Sequence, residues 1–230
     1  MKQLKSKVIV LSRTDYGEAD RILTLLSEQH GKISVIARGV RKPKSKLAGG
    51  IELFSVSEIT YLEGKGNLDT LISARLVENY ENVVHQIDRV QLGYEFIKLL
   101  NKITEDDVDT EYFAVLRDAL SALNDDSINH QFVEAWFAAQ ILKLEGHTPN
   151  LLTGSKGEKL AADNHYNFDV LEMTFENHPS GTYSDKNIKI IRLLFSNNTP
   201  KRIYKIEGFA ENYQVVLSLI KSMKNFYLNI

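Results

Sequence analysis

The sequence predicts an α+β chain: an N-terminal five-stranded barrel, a central helical bundle, and a small mixed C-terminal lobe with terminal helices. Three observations carry this. Five short runs, β-branched or alternating, precede Asn79 with no long helix between them. Apolar residues then recur at helical spacing from Phe96 to Leu144. Beyond Pro149 the chain turns polar and mixed before two more amphipathic stripes. The corresponding domains are 1–80, 81–150 and 151–230.

The first strand is Val8-Ile9-Val10-Leu11 and the second is the apolar run Ile22 to Leu26. Lys32 to Ala37 alternates, as does Phe54 to Ser57, after which the apolar phase slips by one to Ile59 and Tyr61. Such a slip marks a β-bulge. Leu68 to Ile72 is the fifth strand. Turn residues separate these runs at Asp15-Tyr16-Gly17, His30-Gly31 and Glu63 to Asn67. Five strands this close in sequence favour a small closed or partly open barrel.

Three helical stripes follow: Phe96, Ile97, Leu100, Ile103; Phe113, Leu116, Leu120, Leu123; and Val133, Phe137, Ile141, Leu144. Gly146 and Pro149 stop the third. Between the first two, Asp106, Asp107, Asp109 and Glu111 read as an acidic loop opening the next helix rather than as catalytic carboxylates. In the last third, Phe168 to Phe175 reads as one strand. A helix after Ser184-Asp185 buries Ile188, Ile191 and Leu194 or Phe195, and a final helix from about Phe209 presents Tyr213, Val216, Leu217, Ile220, Met223 and Tyr227 on one side.

Composition removes several function classes. No cysteine is present, which excludes a disulfide scaffold, a thiolate zinc site, a cysteine nucleophile and an iron–sulfur cluster. No Gly-x-Ser-x-Gly elbow, phosphate loop, dinucleotide fingerprint or His-Glu-x-x-His occurs. No enzyme is expected, and no metal or other cofactor. An unrecognised hydrolase or transferase site around His165, His178 and Asp185 ranks last among the alternatives. The apolar run after the basic start is too short for a signal or spanning helix, so the chain reads as soluble and cytoplasmic.

The net charge of −2 hides an uneven distribution. Residues 1–82 carry 13 basic and 10 acidic side chains, residues 83–148 carry 5 and 12, and residues 149–230 carry 10 and 8. Between Glu28 and Glu52 no acidic residue occurs, while Lys32, Arg38, Arg41, Lys42, Lys44 and Lys46 all do. Such a one-sign stretch creates a local positive potential whatever the total charge. Pro43 and the flanking glycines shape the loop, and small residues between the cations let phosphates approach. A solvated loop is the bland alternative. Tyr16 and Tyr61 divide evenly between packing and base stacking, whereas Phe54 reads as core.

Arg13-Thr14-Asp15-Tyr16-Gly17-Glu18-Ala19-Asp20-Arg21-Ile22-Leu23-Thr24-Leu25-Leu26, His30-Gly31-Lys32, Ala37-Arg38-Gly39-Val40-Arg41-Lys42-Pro43-Lys44-Ser45-Lys46-Leu47 and Phe54-Ser55 together resemble the N-terminal domain of the RecO family of DNA repair proteins. Gly146-His147-Thr148-Pro149-Asn150-Leu151 is similar to that family's Gly-x-x-Pro-x-Leu turn. The resemblance implies an OB-fold barrel, a helical domain and a zinc-ribbon-like lobe. It also implies binding of single- and double-stranded DNA and annealing of complementary strands. Implied partners are RecR and the C-terminal tail of single-stranded-DNA-binding protein, the whole serving to load RecA. Many members carry two Cys-x-x-Cys pairs in the lobe. Here Gly154-Ser155-Lys156-Gly157 stands in place of the first, and no cysteine lies near Gly181.

On that resemblance Arg38, Arg41, Lys42, Lys44 and Lys46 neutralise phosphates, Lys32, Arg21 and Lys65 assist, and Tyr16 or Tyr61 stacks a base. The acidic, apolar-tipped tail of single-stranded-DNA-binding protein needs apolar walls beside a cation. Arg117 or Lys143 near Phe132, Trp136 or Phe137 is the candidate pocket. A scaffold whose basic loop binds an acidic protein is the alternative function.

Overall fold

The computed structural model of the chain describes residues 2–104, 110–207, 209 and 213–228. The acidic residues Asp106, Asp107 and Asp109 lie outside this set. The chain divides into two compact units, Met1–Asp126 and Ser127–Ile230. Among the described residues no helix is long and apolar enough to cross a membrane.

In the first unit five strands close a barrel: β1 (Gln3–Tyr16), β2 (Asp20–Ser27), β3 (Gly31–Ala37), β4 (Ser55–Leu62) and β5 (Asp69–Asn79). Their order around it is β1-β2-β3-β5-β4. β1 is long because it serves two ladders, pairing with β4 through Gln3 to Val8 and with β2 through Val8 to Tyr16. The barrel shuts with a short parallel pairing, Val35 to Asp69 and Ile36 to Thr70. The ladder between β4 and β5 shifts register at Val56/Ser57 and at Thr60/Tyr61. The extra residue at each shift, Val77 and Ile72, belongs to β5, so the bulge expected in β4 falls on its partner strand. Both β1 and β5 run well beyond their apolar runs. Ser73 to Asn79 lies largely in solvent, so no apolar alternation marks it.

Val8, Val10, Leu23, Leu25, Val35, Ile59, Tyr61 and Leu71 fill the interior. Ile9, Leu11 and Leu26, on alternate positions, are buried too. Against β1 pack α1 (Ile87–Ile103) and α2 (Glu111–Leu123), with α2 also on β2. Phe54 is core as expected, but it precedes β4 rather than beginning it and has a φ of 54°. Its ring meets Tyr94 edge-on at 5.1 Å and lies over Gly93, where a Cβ would come within 2.6 Å of it. Only glycine fits there, which explains a glycine inside a helix. Arg89 is buried and donates from Nη1 to the carbonyls of Leu123 at 2.6 Å and Asp125 at 3.2 Å, satisfying the free end of α2.

The second unit is built on α3 (His130–Leu144), which is buried almost all round rather than along one stripe. It ends with His147 N–H donating to the Leu142 carbonyl and Gly146 N–H to that of Lys143, a Schellman closure. Strands β6 (His165–Asp169), β7 (Thr174–Asn177) and β8 (Tyr183–Ser184) form a sheet ordered β7-β6-β8. The single strand expected over Phe168 to Phe175 is thus a hairpin. Asp169 Oδ1 accepts from the amides of Leu171 and Glu172, and Met173 takes a φ of 54°, which turns the chain back. Then come α4 (Asp185–Leu194), opened by a Ser184–Asn187 capping box, the short α5 (Pro200–Ile203), and α6 (Gln214–Tyr227).

With no thiolates available, aromatic packing holds the strand lobe. Phe175 is fully buried and contacts the rings of Tyr166, Phe168 and Tyr183. Tyr166 Oη accepts from the Ala161 amide at 2.7 Å. At Gly181 a Cβ would lie 2.4 Å from the Tyr166 nitrogen, so the backbones touch there. The loop Gly154 to Glu158 closes on itself, with Lys156 N–H donating to the Glu158 carboxylate at 3.1 Å. Phe175→Ala is expected to destabilise the lobe by about 3–5 kcal/mol, read as lost hydrogen-exchange protection in β6 and β7. A zinc chelator is expected to leave wild-type exchange unchanged; chelator-sensitive exchange would overturn the packing account.

Candidate nucleic-acid interface

β3 and β4 are consecutive in sequence but not neighbours in the sheet, since β5 lies between them on one side and β1 and β2 on the other. The chain from Arg38 to Phe54 therefore crosses an end of the barrel. It is pinned rather than loose. Val40 and Ile51 are buried in the barrel core, and Leu47 and Ala48 pack against it. Gly39 N–H donates to Asp20 Oδ1 at 2.7 Å, and Arg41 N–H to the Ala19 carbonyl at 2.9 Å. Two successive turns, Lys42 N–H to Gly39 O and Ser45 N–H to Lys42 O, and a 3-10 turn at Ala48–Gly50 fix the rest.

Between these anchors Arg38, Arg41, Lys42, Lys44 and Lys46 are all exposed. Arg38, Lys42, Lys44 and Lys46 have no carboxylate partner among the described residues. The β1–β2 hairpin adjoins the segment. Asp15 accepts from Arg21 Nε at 2.8 Å and has Arg41 Nε at 3.4 Å. The Arg21 hydrogen bond, with the charges of Arg41, Arg21 and Arg13, holds the Asp15 carboxyl below the ordinary carboxylate value. Tyr16, at the hairpin tip, is 56% exposed and offers an open ring face beside the cations.

The other sequence candidates stand apart. Lys32 is at the opposite end of β3, where its Nζ donates to the carbonyl of Asn101 at 3.3 Å and to that of Thr104. It caps α1. Lys65, exposed in the β4–β5 turn, belongs to this end as well, since Asp69 pairs with Val35 and the turn residues Gly66 and Asn67 share a groove with His30, Lys32 and Tyr61. Tyr61 is 1% exposed, so its ring faces are covered by core. Burial, with Asp69 and Glu63 near, pushes its hydroxyl up to about 12.

Phe132, Trp136 and Phe137 are buried. Phe132 packs on Tyr204, Phe209 and Tyr213, and Trp136 Nε1 donates to the Asn198 carbonyl at 3.0 Å. Lys143 donates to Asn197, and Arg117, in the first unit, pairs with Asp118 at 2.9 Å. Arg117 thus belongs to a different unit from Lys143 and the three rings, and the rings are taken up by core packing. A groove of mixed lining exists between α3 and α6: Ala135, Ala138, Leu217 and Ile220 wall a space of 240 Å³, with Glu134, Lys221 and Lys224 also lining it. The spacing of Ala135 and Ala138 on α3 is its one sequence trace. His178 Nδ1 accepts from the Ser180 amide, and Asp185 pairs with Lys189 at 2.9 Å. Among the described residues no three His, Cys, Asp or Glu are grouped to hold a metal.

Residues 1–80 match the family model described as recombination protein O N terminal. A DNA repair protein RecO of Dehalococcoides mccartyi is 27% identical over 210 residues, covering 88% of this chain and 82% of that protein. Those of Heliobacterium modesticaldum and Rubrobacter xylanophilus are 32% and 31% identical over 151 residues. The latter two matches cover 66% of this chain but only 54% and 60% of those proteins.

Lys32→Met is expected to lower stability by about 1–2 kcal/mol, through loss of the α1 cap, in a urea titration. Binding to a polyanion such as heparin should be unchanged. Full stability with weakened polyanion binding would place Lys32 in the interface.

Proposed function

The chain belongs to the RecO family, and we propose on that premise that it is a recombination mediator in DNA repair. It binds single- and double-stranded DNA, anneals complementary strands and, with RecR, helps load RecA onto strands coated by single-stranded-DNA-binding protein. It brings strands together and makes no covalent bond itself. The observation that carries this reading is the crossing segment: five exposed cations held at one barrel end by Val40 and Ile51.

Arg38, Lys42, Lys44 and Lys46 neutralise phosphates, and Arg41 does so while sharing Asp15 with Arg21. Because the anchors fix the backbone, little of the loop's entropy remains to be lost on binding. Phosphate contacts ignore sequence, which suits action at any gap or break. Tyr16 supplies stacking that any base satisfies. A strand held by its backbone keeps its base edges free to pair, and this is what annealing requires.

The quadruple variant Arg41→Ala, Lys42→Ala, Lys44→Ala, Lys46→Ala is expected to weaken binding to all sequences alike. The slope of log K against log salt should flatten by roughly 0.7 per lost contact to a single strand. An unchanged slope would move the site elsewhere, and retained DNA binding with loss of an acidic protein partner would favour the scaffold alternative.

The α3–α6 groove combines apolar walls with Lys221 and Lys224, the chemistry that the acidic, apolar-tipped tail requires. Lys224 also faces Glu134 at 3.6 Å, which sets its position. Lys221→Glu with Lys224→Glu is expected to weaken binding of a tail peptide about tenfold or more while sparing binding of naked DNA. Equal loss of both would show a general electrostatic effect rather than a pocket.

A further inference from the structure

A second one-sign stretch lies in the C-terminal unit. Between Asp185 and Glu207 the chain has no carboxylate and six cations: Lys186, Lys189, Arg192, Lys201, Arg202 and Lys205. The crossing stretch between Glu28 and Glu52 also holds six, and no other stretch bounded by two acidic residues holds more than two. The first three cations are on α4, and the rest are on α5 and the turn after it; the two helices pack together.

Two of the six are engaged within the fold. Lys189 pairs with Asp185, and Arg192 donates from Nε and Nη2 to the Leu151 carbonyl at 2.9 and 2.6 Å. Lys186, Lys201, Arg202 and Lys205 have no carboxylate partner among the described residues, and all but the half-buried Lys201 are exposed. The arrangement works against helix stability. Lys186, Lys189 and Arg192 follow one another at three-residue spacing, where like charges repel. Carboxylates that could relieve them are in the same unit but mostly in the strand lobe: Glu158, Asp163, Asp169, Glu172 and Glu176. A nearly neutral unit thus gathers six of its eleven cations in one stretch of sequence.

We propose that this stretch is a second nucleic-acid surface, holding the partner strand during annealing by its phosphates alone. The inference rests on the DNA-binding reading above and extends it. Extent fits a strand: α4 alone is ten residues, about 15 Å, and α5 packs against it. Chemistry fits a backbone rather than a peptide. Of the two aromatic residues in this stretch, Phe195 is buried and Tyr204 packs on Phe132 and Phe209, so neither has a free stacking role. The cleft beside α4 measures 60 Å³, too small to anchor a large apolar side chain. A surface without stacking rings leaves the bases of its strand uncovered, ready to pair with a strand held elsewhere on the chain.

The test uses the full chain and two non-complementary single-stranded oligonucleotides carrying different dyes. Wild type is expected to bind one of each, seen as energy transfer at low salt. The variant Lys186→Ala, Lys201→Ala, Arg202→Ala, Lys205→Ala should bind one oligonucleotide with near wild-type affinity, lose the energy transfer, and anneal complementary strands about tenfold or more slowly. Replacing the three lysines by arginine instead should preserve both signals. A quadruple variant that still binds two strands and anneals at the wild-type rate would overturn the inference, as would wild-type binding of only one strand per chain. Neither result touches the barrel-end site, whereas absence of any DNA binding by wild type would sink the DNA reading itself.

Discussion

The fold depends on a topological constraint: the strand that follows β3 in sequence cannot lie beside it. Val35 and Ile36 pair instead with Asp69 and Thr70 of β5, closing the barrel from the other side. The chain must therefore cross the barrel mouth before β4 can begin. A crossing segment over an apolar mouth has to bury something, and Val40, Leu47 and Ile51 do this. Residues between buried anchors are forced outward, and here they are cations. The same crossing that seals the core thus projects the charge. The hairpin β1–β2 completes the arrangement because Asp20 and Ala19 receive the crossing backbone.

Cations elsewhere in the chain do other work, and the structure separates the two uses by what each ammonium or guanidinium meets. Lys32 meets the carbonyls that end α1, Arg89 those that end α2, and Arg192 the carbonyl of Leu151. Orphan carbonyls at a helix C-terminus carry partial negative charge, so a neighbouring cation is satisfied without a carboxylate. For Arg89, which is 4% exposed, several such bonds offset the desolvation of a buried guanidinium. A cation engaged in this way is positional. One left without a partner on the surface costs the fold a little through repulsion and is available to an external anion.

Sequence pattern reveals the parts of this fold where burial is one-sided. The apolar centres of all five strands and the stripe of α2 are legible because alternation and helical period record which face is inside. The exposed half of β5 leaves no such record. In α3 the stripe Val133, Phe137, Ile141, Leu144 is legible, but the burial of the other faces is not. The hairpin β6–β7 is hidden because its turn contains no glycine or proline; Asp169 and the φ of Met173 make it. At the candidate site the basic run is legible as charge, but its division between barrel ends is not. Lys32 is six residues from Arg38 in sequence and at the far end of a strand in space. Whether a tyrosine stacks or packs depends equally on that third dimension: Tyr16 is at a hairpin tip and Tyr61 inside a barrel.

The net charge of −2 is therefore no guide to what the surface attracts. Charges cancel only within about a screening length, roughly 8 Å at physiological salt. Strand β3 alone is seven residues, about 23 Å, so a cation at one end does not feel a carboxylate at the other. What matters is the local sign, and the chain keeps it uniform in two stretches while placing its acidic residues elsewhere. Neutral totals with segregated signs have a functional consequence. They allow attraction of an anion at one patch without a strong field at long range.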